Sequence, residues 1–247
     1  MKKIYIFIIA LFTISFASAQ SLQEAADAYT KEDYKKAALI YQTLADSVGV
    51  SPELYYNLGN SYYKLKDYPK AILNYERALL MLPGDEDIRT NLEMARANIT
   101  DKIDTLDKSF ISVWFESVIN IASSNAWALF AIITFLIFLI GIFTYIFTKN
   151  ITIRKVGFFG AVLMLILSLF ANIATYKQRD KIENRNHAII MAPSITVKSS
   201  PADSGTDLFI LHEGTKVKVT DKVGDWSEIK IDDGNSGWIP SSKMEII

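Results

Sequence analysis

The residue types that carry out most enzyme chemistry are sparse in this chain. It contains no cysteine, and its two histidines, His187 and His212, are isolated from each other. A thiol nucleophile, a disulfide and a cysteine-based zinc or iron–sulfur site are therefore excluded, and no cluster suits a metal or a catalytic triad. No phosphate loop or nucleophile motif occurs, and the net charge of −1 does not suggest a nucleic-acid-binding surface. These patterns predict a protein that is not an enzyme and uses no cofactor or metal.

Four side chains between residues 52 and 65 are instead suited to binding a partner. Tyr56, Asn60, Tyr63 and Lys64 lie at helical spacing, so one side of a helix would carry all four. Tyrosine rings provide large apolar contacts, while the hydroxyl, amide and ammonium groups provide hydrogen bonds. The spacing therefore predicts one helical face that carries aromatic and polar side chains.

Trp226 is a second candidate, at the start of a predicted strand. Strand alternation places Ile229 and Ile231 on one face and Trp226 on the other. An indole on the outer face of a sheet offers a ligand a flat apolar surface and one N–H donor. A second role stays open, in which Trp226 only covers the domain.

Three apolar segments bear on the location of the protein. Residues 1–19 have a basic start, a short apolar stretch and an Ala-Ser-Ala site, which predicts a signal peptide; an uncleaved anchor is the alternative. Residues 125–147 and 156–176 are each long enough to cross a membrane. We expect two transmembrane helices, the alternative being one buried helical hairpin of a soluble protein.

Basic residues near these segments predict the orientation in the membrane. The segment 148–155 carries three basic residues and no acid, which is typical of a cytoplasmic loop. The predicted linker 177–187 is also basic and argues for the opposite orientation. The basic residues of that linker are Lys177, Arg179, Lys181 and Arg185. Because the export signal and an even number of spans favour the first orientation, we expect a multi-pass inner-membrane protein whose two soluble regions are periplasmic.

The region 20–105 contains a sequence repeat with a period of about 34 residues. Residues 31–37 match residues 65–71, and Tyr41 matches Tyr75. This is the period of the tetratricopeptide repeat, which the second copy resembles closely, whereas the first copy departs from it at Ala25 and Ala28. The residues at signature positions of the second copy are Tyr55, Leu58, Gly59, Tyr62, Tyr68, Ala71, Tyr75, Ala78 and Pro83.

The resemblance implies an all-α array of about five helices that binds a protein partner. In this family the first helix of each pair lines the concave surface, so the resemblance implies that Tyr56, Asn60, Tyr63 and Lys64 bind a protein or peptide partner. The alternative is that these residues only follow the general consensus of the repeat and indicate no particular ligand. Residues 106–124 join the array to the first predicted span. Their apolar residues, with Trp114 among them, predict a short helix at the membrane interface.

The C-terminal region, 188–247, contains short β-prone runs separated by turn residues. Glu-Gly-Thr at 213–215, Gly-Asp-Trp at 224–226 and Gly-Trp-Ile-Pro at 237–240 occur in an order that resembles the bacterial SH3 domain. The resemblance implies an all-β small barrel.

In relatives of this domain that bind proline-rich peptides, residues at the positions of Trp226 and Pro240 help to form the groove. This sequence lacks the acidic-aromatic opening motif, and Lys243-Met244 stands where a groove tyrosine would follow. The domain therefore has three possible roles: binding a peptide, binding peptidoglycan, or binding nothing.

The order of signal peptide, tetratricopeptide repeats, two transmembrane helices and SH3-like domain resembles the BatE-type aerotolerance proteins of Bacteroidetes. The resemblance implies a non-enzymatic membrane scaffold that partners von Willebrand A-type Bat proteins in an envelope or oxidative-stress complex. Two other functions remain open: a peptidoglycan-binding envelope sensor, and an accessory subunit of an envelope enzyme.

Overall fold

The computed structural model describes residues 21–47, 51–103 and 109–247. The predicted signal peptide, residues 1–19, lies outside the described residues. The chain divides into two compact units. One contains the helical repeats together with the C-terminal sheet, and the other contains the long apolar helices.

The repeat region is a series of helices, as its sequence predicts. Ser51 caps the third helix, since its Oγ accepts a hydrogen bond of 3.1 Å from the Leu54 N–H, and Pro52 occupies the first turn, where its missing N–H costs nothing. The described helices are α1 (residues 21–30), α2 (Tyr34–Ser47), α3 (Pro52–Lys64), α4 (Tyr68–Met81) and α5 (Glu86–Arg96).

The turns inside the two repeats have the same backbone conformation. Glu32 and Lys66 stand one repeat period apart and adopt left-handed φ angles of 61° and 63°. In each turn the next residue donates its N–H to a carbonyl five residues earlier, at 2.9 and 3.0 Å. The first copy therefore forms the same helix–turn–helix unit as the second, although its sequence departs from the family pattern.

The C-terminal region forms one antiparallel sheet of seven strands. Its inner face buries Ile190, Val197, Ile229 and Ile239 in a single core. The strands are β1 (His187–Ile190), β2 (Ser194–Lys198), β3 (Asp207–His212), β4 (Lys216–Val223), β5 (Trp226–Lys230), β6 (Ser236–Pro240) and β7 (Met244–Ile246).

The sequence resemblance implied a small barrel, and this expectation is wrong because the sheet is open. Its strand order is β3-β2-β6-β5-β4-β1-β7, so β3 and β7 form the two edges. The reason lies in β1, which pairs with β4 on one side and with β7 on the other. The last strand therefore extends the sheet beyond β1 and does not pair with β3.

The other unit is built from α6 (Phe110–Ile119), α7 (Ser124–Phe147) and α8 (Ile151–Glu183). The turn between α7 and α8 is short, and the Asn150 side chain caps α8 by accepting a hydrogen bond of 2.9 Å from the Thr152 N–H. α8 extends beyond residues 156–176 at both ends, so the predicted linker is helical as far as Glu183. An ion pair of 2.6 Å between Arg179 and Glu183 lies on that last turn.

α7 and α8 are long and apolar enough to cross a membrane, and the most apolar 18-residue windows of these helices have mean hydropathies of 2.7 and 2.3. They pack closely where Gly141 meets Ala161 and Gly157, because a Cβ at position 141 would lie 3.0 Å from the Ala161 Cβ. Only 11% and 22% of their most apolar windows are buried. Most of the apolar surface of this hairpin is thus exposed, unlike that of a core helix in a soluble protein.

Candidate partner-binding surfaces

A pocket of about 290 Å³ opens on the helical array. Its lining includes all four residues predicted from helical spacing, so the structure brings them together at one site. The residues that line it are Tyr29, Tyr56, Asn60, Tyr63, Lys64, Tyr75, Asn91 and Met94. We call this site the helical pocket.

Asn60 lies at the centre of a hydrogen-bond network in the helical pocket. Its Oδ1 accepts bonds from the Tyr75 hydroxyl at 2.7 Å and from Asn91 Nδ2 at 2.9 Å. Asn91 Nδ2 also donates to the Tyr56 hydroxyl at 3.0 Å. Because the network holds Asn60 and the Tyr56 hydroxyl in place, the pocket presents its polar groups in a fixed arrangement.

Tyr75 forms the floor of the helical pocket and is fully buried. Burial raises the pKa of its phenol above the ordinary value, and the neighbouring Tyr56 adds to this effect, so the hydroxyl remains protonated and can donate to Asn60. Gly59 makes room for the ring, since a Cβ there would lie 2.7 Å from it. The repeat-signature glycine therefore has a direct role in shaping the pocket.

Four residues of the helical pocket were not predicted as partner-binding residues: Tyr29, Tyr75, Asn91 and Met94. Tyr75 was identified only as a signature residue of the repeat. Tyr29 precedes Tyr63 by one repeat period, so the repeat could have identified it. Asn91 follows Asn57 by the same period and lies on the closing helix α5. Together these aromatic, amide and ammonium groups suit an extended peptide segment that carries apolar side chains and hydrogen-bonding backbone groups.

The outer face of the sheet brings Trp226 and Pro240 together. They are directly opposite each other in the pairing of β5 with β6, and in the same way Glu228 is opposite Trp238. Residues opposite each other on neighbouring antiparallel strands share a face. Ile229 is fully buried on the inner face, as the alternation predicted, and Trp226 is half-buried on the outer face.

The repeats and the sheet meet at a buried carboxylate that sequence reasoning missed. Glu76 of α4 is 6% exposed and forms ion pairs with Arg96, at the end of α5, and with Lys216 of β4, the latter at 2.7 Å. Burial alone would raise the pKa of Glu76, but Lys216 and Arg96 outweigh it and hold the pKa below its ordinary value. Glu76 is therefore charged at neutral pH.

Asp101 forms a second contact between the repeats and the sheet. Its carboxylate accepts hydrogen bonds from the His212 backbone N–H and the Thr215 hydroxyl, each at 2.7 Å, and contacts His212 Nδ1 at 2.7 Å. Burial would raise the pKa of Asp101, but these hydrogen bonds lower it below the ordinary value. We call the Glu76 and Asp101 contacts the repeat–sheet junction. No local sequence pattern predicts the repeat–sheet junction, because the sheet residues that contact Glu76 and Asp101 are far from them along the chain.

Metal binding has no candidate site in the part of the chain that the structure describes. No group of three or more histidine, aspartate or glutamate side chains there could hold an ion. His212, one of the two histidines, contacts Asp101 at the repeat–sheet junction.

Comparison with known families agrees with the two resemblances drawn from the sequence. Residues 52–85 match the tetratricopeptide repeat, and residues 193–244 match the bacterial SH3 domain. No curated protein matches the chain. The chain thus combines a tetratricopeptide repeat with a bacterial SH3 domain. Both domains are typical non-catalytic modules, of the kind that bind proteins or peptidoglycan.

Proposed function

We propose that this protein is a non-enzymatic membrane scaffold whose tetratricopeptide repeats bind a partner protein in the periplasm. The helical pocket carries the proposal, because it joins four tyrosines, two amides and the ammonium of Lys64 around a fixed hydrogen-bond network. By resemblance to BatE-type proteins, the partner is a von Willebrand A-type protein of a Bat envelope or oxidative-stress complex.

The structure also bears on the membrane part of this proposal. The largely exposed apolar surfaces of α7 and α8 favour a transmembrane hairpin over a buried one. The repeats precede this hairpin in the chain and the sheet follows it, yet Glu76 and Lys216 join them. Since a bilayer cannot separate residues in contact, both soluble regions would lie on the same side of the membrane.

Substitution in the helical pocket tests the binding role. We expect Tyr56→Ala combined with Tyr63→Ala to weaken the binding of a purified von Willebrand A-type Bat domain roughly thirtyfold, since a truncated aromatic anchor typically costs about 2 kcal/mol. Isothermal titration with the full chain in detergent measures the affinity, and circular dichroism measures the helix content.

Leu39→Ala is the matched control, because Leu39 is 69% exposed on α2 and does not line the pocket. Its affinity should equal that of the native protein. Unchanged binding by the double variant, or an equal loss in the Leu39 variant, would show that the helical pocket is not the binding site.

A second candidate function, peptidoglycan binding by the sheet, is favoured by the pairing of Trp226 with Pro240 on the outer face. A half-buried indole beside a proline and Trp238 offers flat surfaces on which sugar rings or apolar side chains can stack. This function would make the protein an envelope sensor.

Trp226→Ala separates this function from a covering role. Because Trp226 lies outside the buried core of the sheet, we expect a stability loss of about 1 kcal/mol, well below the roughly 3–5 kcal/mol typical of a core aromatic. Cosedimentation of the full chain in detergent with peptidoglycan should fall sharply. A core-sized loss of stability would identify a covering role, and unchanged cosedimentation would eliminate the site.

A further inference from the structure

The basic residues after the second apolar helix need an explanation if they lie outside the cytoplasm. Lys177 and Arg179 are exposed on the last turns of α8, directly after the apolar stretch ends at Tyr176. The usual bias of basic residues is toward the cytoplasmic side of a membrane. Their place in the fold indicates a different role.

The short helix α6 is fastened to this basic end of α8. The buried Gln178 donates its Nε2–H to the Ile119 carbonyl at 2.8 Å, and Lys181 Nζ donates to Asn120 Oδ1 at 2.9 Å. Trp127 Nε1 donates to the same Ile119 carbonyl at 2.9 Å. The C-terminal end of α6 is therefore fixed beside the basic turns of α8.

The outer side of α6 is apolar and exposed. Phe110, Ile111 and Trp114 expose 82%, 76% and 57% of their surfaces. Phe115 faces the other way, packs on Phe170 with ring centroids 5.7 Å apart, and lies under the Lys177 ammonium at 4.8 Å. The Lys177 ammonium therefore lies beside α6 at Phe115, while Phe110, Ile111 and Trp114 leave the outer side of the helix apolar and exposed.

We infer that α6 and the basic turns of α8 form a docking surface for the headgroups of anionic phospholipids. The apolar side chains of α6 enter the boundary between headgroups and acyl chains, while the exposed Lys177 beside Phe115 contacts a lipid phosphate. Arg179 pairs with Glu183, but this pair is more than half exposed, so a lipid phosphate can compete with the Glu183 carboxylate for Arg179. The exposed apolar side favours a lipid surface, and the Lys177 ammonium favours an anionic one. The inference rests on the proposed membrane anchoring, and its test separates the two.

The depth of α6 in a bilayer is the first measurement. The absence of native cysteine allows single nitroxide labels at Ile111→Cys and, as the aqueous control, at exposed Ser204→Cys in the full chain. In nanodiscs of phosphatidylcholine and phosphatidylglycerol, we expect the label at 111 to collide mainly with oxygen and the label at 204 with a water-soluble nickel complex. Equal nickel accessibility at both positions would overturn the inference.

Lipid selectivity is the second measurement. Native mass spectrometry of the full chain should show phosphatidylglycerol retained over phosphatidylcholine, with a decrease of about fivefold for Lys177→Gln and a smaller decrease for Arg179→Gln, because Arg179 already pairs with Glu183. Lys218→Gln with Lys222→Gln, two exposed lysines of β4, is the matched control and should change nothing. Equal retention of both lipids by the native chain would overturn the inference.

Carbonate extraction distinguishes failure of this inference from failure of membrane anchoring. A chain that resists extraction but has a water-accessible α6 or no lipid preference contradicts the docking surface alone. A chain that carbonate releases into the soluble fraction contradicts both the docking surface and the proposed transmembrane hairpin.

Discussion

Replacement of Glu76 by Gln is expected to lower the melting temperature of the repeat and sheet unit by roughly 5–10 °C. The substitution removes the only carboxylate that Lys216 and Arg96 contact in the described structure, and breaking a buried ion pair on one side typically costs about 3–5 kcal/mol. Lys216 and Arg96 keep 32% and 42% of their side-chain surfaces exposed. We therefore expect Glu76→Gln to lower the free energy of unfolding by only about 2–3 kcal/mol.

Glu24→Gln is the matched control for this experiment. Glu24 pairs with Lys36 at 2.9 Å, but both side chains are more than half exposed, and such pairs contribute less than about 1 kcal/mol. Thermal melts of the full chain in detergent, followed by tryptophan fluorescence, measure the difference. Equal melting temperatures for the two variants would contradict a stabilising repeat–sheet junction.

Acid should weaken the same junction. The pKa values of Glu76 and Asp101 are lower in the folded protein than in the unfolded chain, so the unfolded chain binds more protons as the pH falls. The stabilisation that these two carboxylates provide is complete above their pKa values in the unfolded chain, which are about 4. It is lost as the pH falls through their lower pKa values in the folded protein. Glu76→Gln should therefore lose less stability in acid than the native chain does.

The repeat architecture was predictable because its signals are periodic and local. The repeat period and the capping residues Ser51 and Pro52 act within a few turns of helix, and they correctly predicted an array that continues through α5. The same period relates Tyr29 to Tyr63, so even the unpredicted part of the helical pocket had a signal in the sequence.

The sheet was predictable where apolar and polar residues alternate, as in β2, β4 and β5. In β3, Leu208, Phe209, Ile210 and Leu211 are all apolar and show no period, so alternation does not mark this strand. Whether the sheet closes depends on pairing between β1 and β7, the first and last strands of the domain, which no local pattern specifies. Glu76 resembles any surface residue of an amphipathic helix until the sheet covers it.

The second large effect concerns the topology of the chain. A transmembrane hairpin between two regions that contact each other predicts that both regions lie on the same side of the membrane, opposite to the α7–α8 turn. Single cysteines at Ser47, Lys149 and Ser204 report on the three regions, and all three positions are exposed. A cysteine at position 149 leaves in place the neighbouring Asn150 side chain, which caps α8.

Labelling of these cysteines in intact cells with a membrane-impermeant thiol reagent tests the proposed scaffold most directly. No native cysteine competes for the reagent. We expect positions 47 and 204 to react in intact cells, and position 149 to react only after the inner membrane is permeabilised. A reaction of position 149 in intact cells would contradict a periplasmic scaffold on a two-helix anchor. A reaction of only one of positions 47 and 204 in intact cells, with the other reacting only after permeabilisation, would contradict it as well.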